Sequence, residues 1–314
     1  MDIELDATFK KLLEKYNINF DKDSTDYKKV FLIYGDKGVG KTSLALMFPG
    51  NIVAFSFDGQ TRIIKKQLSQ IYPEKANSIK VYDMDQVYYG TDLNNAREDI
   101  LSSSEILLTF MKKIVTSTHP DWFLVDGSSE YVTMAEYVMR KNNSLLPFQG
   151  ISNQNLWKER NVYIRQLHNT MVNNARFGVI YTGWEQLVEV EDEGELKKIT
   201  MPKWTDIIMQ KTQFIIRAVK VTAKSSNGQK LNKYFAKIVS SKDDDFLQTG
   251  SVFDITNYTP IPQIQALSSQ IQKAQQNTTK TNEDTVKQKT EEKTETIIQP
   301  AKIETSDADF FDNL

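Results

Sequence analysis

The chain has no cysteine and only two histidines, His119 and His168. Disulfides and thiolate metal centres are therefore excluded, and two well-separated histidines supply no donor set for structural zinc. Long apolar runs are missing too. None approaches the roughly 20 residues that a membrane-spanning helix needs. The opening MDIELDATFKK lacks the basic-then-apolar layout of a secretory signal. The expectation is a soluble, cytoplasmic chain with no membrane partner. Nor is there an excess of one charge: 39 Lys and Arg stand against 41 Asp and Glu, a net charge of −2. A total of that size does not advertise a nucleic-acid binder, but it is unevenly spread. Residues 277–314 carry five lysines against nine acids, a net of −4, which leaves the remainder near +2. An acidic tail masks a mildly basic body.

What is present is enough for a sizeable core: 39% hydrophobic and 11% aromatic residues in 314, the length of one large domain or two small ones. The most informative stretch is YGDKGVGKTSLALMFPG, which begins at Tyr34 and ends at Gly50. Gly35, Asp36, Lys37, Gly38, Val39, Gly40, Lys41 and Thr42 fit the phosphate-loop signature GxxxxGK[ST], with Ser43 following. Glycines let successive N–H groups converge on anionic oxygens. Lys41 brings a positive charge to the outer phosphates, and the Thr42 hydroxyl is a ligand for Mg²⁺. The apolar run KVFLIY before the loop and TSLALMF after it predict strand, loop and helix in the required order. Downstream, DWFLVDGSSE reads as a buried strand that presents Asp126 at its C-terminal end, where a carboxylate holds the Mg²⁺ shell. Thr42 and Asp126 are the expected metal residues, and ATP with Mg²⁺ the expected cofactors.

Residues 1–28 read as a helical lead-in, with Phe9, Leu12, Leu13 and Tyr16 on one face. The nucleotide domain is expected over residues 29–258, with strands near 30–34, 52–57, 80–82, 122–125 and 178–182 and helices at 103–116 and 155–172. Strands alternating with helices predict an α/β fold whose mostly parallel sheet is covered on both faces. Two β-prone runs flanking Asn227-Gly228 predict a C-terminal hairpin. Residues 259–314 are expected to be a disordered polar tail, with a short helix near 264–275.

A GTPase would carry an Asn-Lys-x-Asp base reader, but Asn232-Lys233 is followed by Tyr234-Phe235. AAA+ machines and helicases usually carry Asp-Glu where this chain has Asp126-Gly127. RecA-like ATPases follow the Asp with a small residue and place a water-activating carboxylate after the strand beside the phosphate loop. NIVAFSFDGQT puts Asp58 in about that place. The stretches GDKGVGKTSLALMFPGNIVAFSFDG, WFLVDGSSEY, LWKERNVYIRQLHNTMVNNARFGVIYTGWEQ and GSVFDITNY resemble phage-encoded RecA-like nucleotide-binding proteins, a group that includes Sak-type single-strand annealing proteins.

The resemblance implies a RecA-like P-loop ATPase acting on single-stranded DNA in replication or recombination, by annealing or as a recombinase, in the host cytoplasm. It implies that Lys41, Asp58 and Asp126 are catalytic, and that Thr182, Gly183, Trp184 and Glu185 sense the γ-phosphate. It also implies a homo-oligomer with ATP at a subunit boundary, where a neighbour lends a cation, Lys237 or Lys242. Asp58 stands where such proteins commonly have Glu, one methylene longer, which implies slow turnover. Gly183 and Trp184 stand where a RecA has Gln.

The expected DNA-facing residues are Lys197, Lys198, Lys203 and Trp204, with Arg140, Lys141, Lys158 and Arg160 after Asp126. A groove for single strands needs such cations together with aromatic faces. Glu189, Glu191, Asp192, Glu193 and Glu195 in the same segment weigh against it. The tip SDADFFDNL sets Asp307, Asp309 and Asp312 around Phe310 and Phe311, a pattern similar to the tips by which single-strand DNA-binding proteins recruit replication partners. The reading from another class is a nucleotide-dependent interaction, assembly or packaging module that does not bind DNA.

Overall fold

A computed structural model describes residues 28–85, 96–192, 195–203, 206–224 and 230–269. The lead-in up to residue 27, the Asn227-Gly228 turn, Trp204 and the acidic, aromatic tip lie outside the described residues. The chain divides into two units, Met1–Leu267 and Ser268–Leu314; the first contains every element below.

In chain order the elements are β1 (Lys29–Gly35), α1 (Lys41–Leu46), β2 (Ile52–Ser56), α2 (Gln60–Ile71), α3 (Pro73–Asn77), β3 (Ile79–Asp83), α4 (Ala96–Ser117) and β4 (Trp122–Asp126). They continue as α5 (Ser128–Asn142), α6 (Gln154–Asn174), β5 (Gly178–Asp192), β6 (Glu195–Pro202), α7 (Asp206–Met209), β7 (Phe214–Lys224), β8 (Lys230–Ser241), β9 (Val252–Asp254) and α8 (Pro262–Gln265). The sheet order is β3-β2-β4-β5-β1-β7-β8-β9, with β6 paired to β5. Strands β1 to β5 and β7 run parallel; β6, β8 and β9 pair antiparallel. This is the expected α/β fold, a mostly parallel sheet flanked by helices, with the expected hairpin in β7 and β8.

The parallel strands read as continuous apolar runs because both faces are covered. Alternate residues divide between two cores. Phe31, Ile33, Trp122 and Leu124 join Phe48 of the α1 side and Phe214; the Phe31 ring lies 4.9 Å from Phe48 and 4.7 Å from Phe214. Val30, Leu32, Phe123 and Val125 pack instead with Met111, Met134 and Leu167 of α4, α5 and α6. Core packing continues past residue 258, where the sequence expectation ended the body: Ile261, Ile264 and Leu267 are buried in the first core. Among the described residues no helix is long and apolar enough to cross a membrane.

Two differences from the sequence reading bear on the site. Strand β2 is not beside β1; β4 and β5 lie between them. Strand β5, expected to stop near residue 182, runs on to Asp192 and folds back as β6. Val188 and Val190, alternating with Glu189 and Glu191, sustain a strand where a loop was expected. Past Trp184 it pairs with β6 alone, and past Arg217 strand β7 pairs with β8 alone. Two hairpin arms thus extend beyond the C-terminal edge of the sheet, flanking β1. Arg217 and Glu185, at the bases of the arms, form an ion pair of 3.1 Å.

Candidate functional site

The phosphate loop leaves β1 at Gly35. A Cβ there would lie 2.4 Å from the Ala218 carbonyl oxygen, so no side chain fits between the loop and β7. Gly40, at φ 91°, is the left-handed residue that turns the loop into α1. Lys41 folds back over the loop, and its Nζ donates to the carbonyl oxygens of Gly35 (3.0 Å) and Asp36 (2.7 Å). The ammonium also lies 4.4 Å from the centre of the Trp184 ring, a cation–π contact. Burial lowers its pKa, while Asp126, Asp58, Asp36 and Glu185 pull it back up.

Asp126 is almost fully buried at the end of β4. Its Oδ1 accepts hydrogen bonds from Thr42 (3.0 Å) and Thr182 (2.5 Å), and its Oδ2 from Thr61 (2.5 Å). It does not cap α5; Gly127 occupies the N-cap with no side-chain bond. Four chain segments therefore meet at one carboxylate. Thr61, on the first turn of α2, escaped the sequence reading, because nothing local distinguishes it from an ordinary helix threonine. Thr182 also accepts the Gly127 N–H at 3.1 Å.

Asp58 reaches the same cavity although β2 lies two strands from β5. Its Oδ1 accepts the Gln60 N–H at 3.0 Å, which turns the chain into α2. Burial first, and then the Asp126 charge, push its carboxyl up to about 6, with Glu130 adding to the rise. Glu130 was also missed by sequence, and its Oε2 is buried with no hydrogen-bond partner.

Lys37, Gly38, Val39, Gly40, Lys41, Thr42 and Ser43 line a cavity of about 470 Å³ together with Asp58, Gly127, Thr182, Gly183 and Trp184. Gly35 and Asp36 contribute carbonyls to Lys41 instead. A second cavity of about 320 Å³ shares Gly38, Gly40, Ser43 and Ile64 with the first, and is otherwise lined by Gln67, Tyr234, Ile255, Asn257 and Tyr258. The chemistry of the first cavity fits a hard divalent cation. The Thr42 hydroxyl and the Asp58 carboxylate line it, with the Asp126 carboxylate bonded to Thr42 beside them, and all three offer hard oxygen donors. Among the described residues no three acidic or histidine side chains converge to hold a metal by themselves. Phosphate or water oxygens would complete its shell, as is usual for Mg²⁺.

The expected DNA-facing cations differ in burial and partners. Arg140 is buried and bonded to Glu136 and to the Leu146 and Gln149 carbonyls. Lys141 pairs with Glu105 at 2.6 Å, and Lys198 with Glu189 at 3.4 Å. Arg160 stacks on Trp157, while Lys158 and Lys203 are exposed. His168 is a core residue: its Nδ1 lies 2.8 Å from the Tyr181 hydroxyl, and burial depresses its pKa to about 4.

Among solved structures the chain is similar to a prototypical ATPase from the type III secretion system of pathogenic bacteria, at 13% identity and TM-score 0.37, over 60% of this chain and 51% of that one. It is also similar to the assembled ATPase EscN of enteropathogenic E. coli in complex with its central stalk EscO, at 12% identity and TM-score 0.36, over 89% and 57%. A DnaB-like replicative helicase is similar at 13% identity and TM-score 0.34, over 79% and 68%. The chain spans little more than half the length of either secretion ATPase. A search of curated protein sequences gave no match. The family model described as AAA domain matches residues 27–238, more than half of the 314, and the chain belongs to that family.

Proposed function

We propose that the chain is a Mg²⁺-dependent, RecA-like ATPase that acts on single-stranded DNA in phage replication or recombination. The observation that carries the ATPase reading is the Asp126 carboxylate, held by Thr42, Thr61 and Thr182 beside Lys41. Loop amides and Lys41 oppose phosphate charge where it develops. Thr42 and Asp126 hold Mg²⁺, which supplies charge neutralisation at the phosphates. Asp58, with its raised pKa, accepts a hydrogen bond from the attacking water and orients it. One methylene fewer than Glu keeps that step slow.

The DNA reading rests on the resemblance and on the charge of the β7–β8 arm. Residues 214–241 hold six cations and no acid, and Lys220, Lys230, Lys233 and Lys237 are exposed. The competing reading, a nucleotide-dependent interaction module without DNA, is favoured by the β5–β6 arm. Residues 185–203 carry six acids against three lysines, with Leu187 and Leu196 72% and 73% exposed. In either reading the chain assembles with copies of itself, with Lys237 or Lys242 of a neighbour facing ATP, and the tip around Phe310 and Phe311 recruits a partner.

Hydrolysis measured with and without single-stranded DNA separates the two readings. The DNA reading expects stimulation, and binding that weakens steeply with salt as counterions are released. Reversing Lys220 and Lys233 to Glu together lowers DNA affinity and leaves ATP binding intact, more than the same change at Lys197 and Lys198. Absence of DNA binding at low salt with Mg²⁺-ATP present leaves the interaction module standing.

A further inference from the structure

The second cavity adjoins the phosphate cavity, sharing Gly38, Gly40, Ser43 and Ile64 with it. Its lining changes character. The phosphate end is glycine, lysine, hydroxyl and carboxylate; this end is two tyrosines, two isoleucines and two amides. Tyr234 comes from β8, Ile64 and Gln67 from α2, and Ile255, Asn257 and Tyr258 from the segment after β9. Apolar walls with a few convergent hydrogen-bonding groups are the composition of a site for a flat heterocycle.

The backbone here is strained. Asn257 (φ 57°) and Tyr258 (φ 63°) are consecutive left-handed residues, and Ser144 is the only other non-glycine residue at positive φ among those described. Asn tolerates that region; Tyr, with a bulky side chain, does so only when its surroundings hold it there. They do. The Ile255 N–H donates to the Tyr234 carbonyl at 2.9 Å, the Tyr234 N–H to the Thr256 hydroxyl at 3.0 Å, and the Thr256 N–H to Asp254 at 2.9 Å. The Thr259 hydroxyl donates to the Thr256 carbonyl at 2.6 Å. The result brings Tyr258 back against α1 and α2, where its hydroxyl donates to Gln67 Oε1 at 3.2 Å and meets the Ser43 hydroxyl. With its oxygen engaged, the Gln67 amide keeps its N–H₂ to donate.

We infer that the Asn257–Tyr258 turn, together with Tyr234 and Gln67, forms the nucleobase-specificity element of this site and selects purines, with Tyr258 as the specificity-determining residue. The inference rests on the nucleotide reading above and deepens it. A two-ring base buries more of its face against Ile64, Ile255 and the tyrosine rings than a one-ring base does. Ring nitrogen and carbonyl acceptors for the Gln67 N–H₂ occur on both classes of base, so the stacked area is what selects and the hydrogen bond is what orients. The hydrogen bonds that hold residues 257–258 in this conformation keep the Tyr258 ring beside the loop rather than in solvent.

The test is calorimetric titration of the full-length chain with the Mg²⁺ complexes of ATP, GTP and CTP and of inorganic tripolyphosphate, which has the phosphates and no base. The wild type binds both purine nucleotides about tenfold more tightly than CTP and than tripolyphosphate, the scale of one stacked base. Tyr258→Ala loses that preference and leaves tripolyphosphate affinity unchanged. Tyr258→Phe retains most of it, because the ring stays. Should Tyr258→Ala fail to fold, Gln67→Ala serves instead, and lowers purine affinity while sparing tripolyphosphate. Equal affinity of the wild type for CTP and ATP overturns the inference, as does an equal loss of tripolyphosphate binding in Tyr258→Ala or Gln67→Ala. A wild type that binds tripolyphosphate and no nucleotide overturns it too, with the phosphate loop left intact. Failure to bind either overturns the nucleotide reading itself.

Discussion

The two ends of the cleft are built by different means. The phosphate end is mostly one run of chain, from Gly35 to Ser43, braced by Asp126 and two distant threonines. The base end is drawn from three elements, and its Tyr258–Gln67 contact joins residues 191 apart in sequence. Converging N–H groups and a single lysine are a short-range requirement, which a short motif satisfies by itself. A flat, half-apolar slot has no such local recipe; any elements that the fold brings together can wall it. Changes at the phosphate end should therefore strike turnover, and changes at the base end affinity.

The largest effect is expected at Lys41. Lys41→Ala removes a preorganised charge, and turnover should fall on the order of 100-fold or more, with tripolyphosphate binding lost as well. Hydrolysis within a few-fold of wild type, in a preparation free of contaminating ATPase, would show that the loop does not hold phosphates.

Asp126→Asn should come next. The substitution keeps volume, and threonine hydroxyls can rotate to meet an amide, so the fold survives. Mg²⁺-dependent turnover should drop by roughly two orders of magnitude, while nucleotide binding measured without metal persists. Unchanged dependence on Mg²⁺ would move the metal role away from this carboxylate.

A smaller effect, opposite in sign for stability and for rate, is expected at Asp58. Its native pKa of about 6 exceeds the ordinary 3.8, so between those values the folded state binds more protons than the unfolded one. Stability therefore falls as pH rises through that window, and the full cost of the charge is present above about 6. Asp58→Asn removes the charge that Asp126 repels. Its melting temperature should exceed that of wild type at pH 7.5, with the difference shrinking as pH falls through 6 and vanishing below about 4. Its turnover should fall, while the wild-type rate rises with pH as this carboxyl ionises. A variant less stable than wild type at pH 7.5 would mean that the Gln60 hydrogen bond outweighs the repulsion.

Smallest are the base-end changes: Tyr258→Ala should raise KM and leave kcat near wild type, a split that sharpens the contrast with Lys41.

The legibility of this chain follows the same division. The order strand, loop, helix around Lys41 and the buried strand ending in Asp126 are periodic, local features, and both were readable. So were the parallel sheet and the β7–β8 pairing, because apolar runs and an Asn-Gly dipeptide carry those signals. The continuation of β5 into an arm was not readable. Its polar, charge-rich alternation resembles a loop until β6 is there to pair with it. The pairing of the cationic candidates was not readable for a related reason: a lysine or arginine in a sequence shows no partner, and only the fold pairs Lys198 with Glu189 or buries Arg140 against Glu136 and two carbonyls.

By itself, then, the sequence determined the phosphate-loop conformation, since nine consecutive residues hold the backbone turns and the charge for it. It also determined that Asp126 ends a buried strand, since the four-residue apolar run Trp122–Val125 forces that burial. Tertiary structure alone decided that Thr61 and Thr182 converge on Asp126, and that Asp58 is repelled by it. It alone built the slot beside the loop from Gln67, Tyr234, Ile255 and Tyr258. Those are contacts across the sheet and between its ends, and no spacing along the chain encodes a distance that the packing of two cores sets.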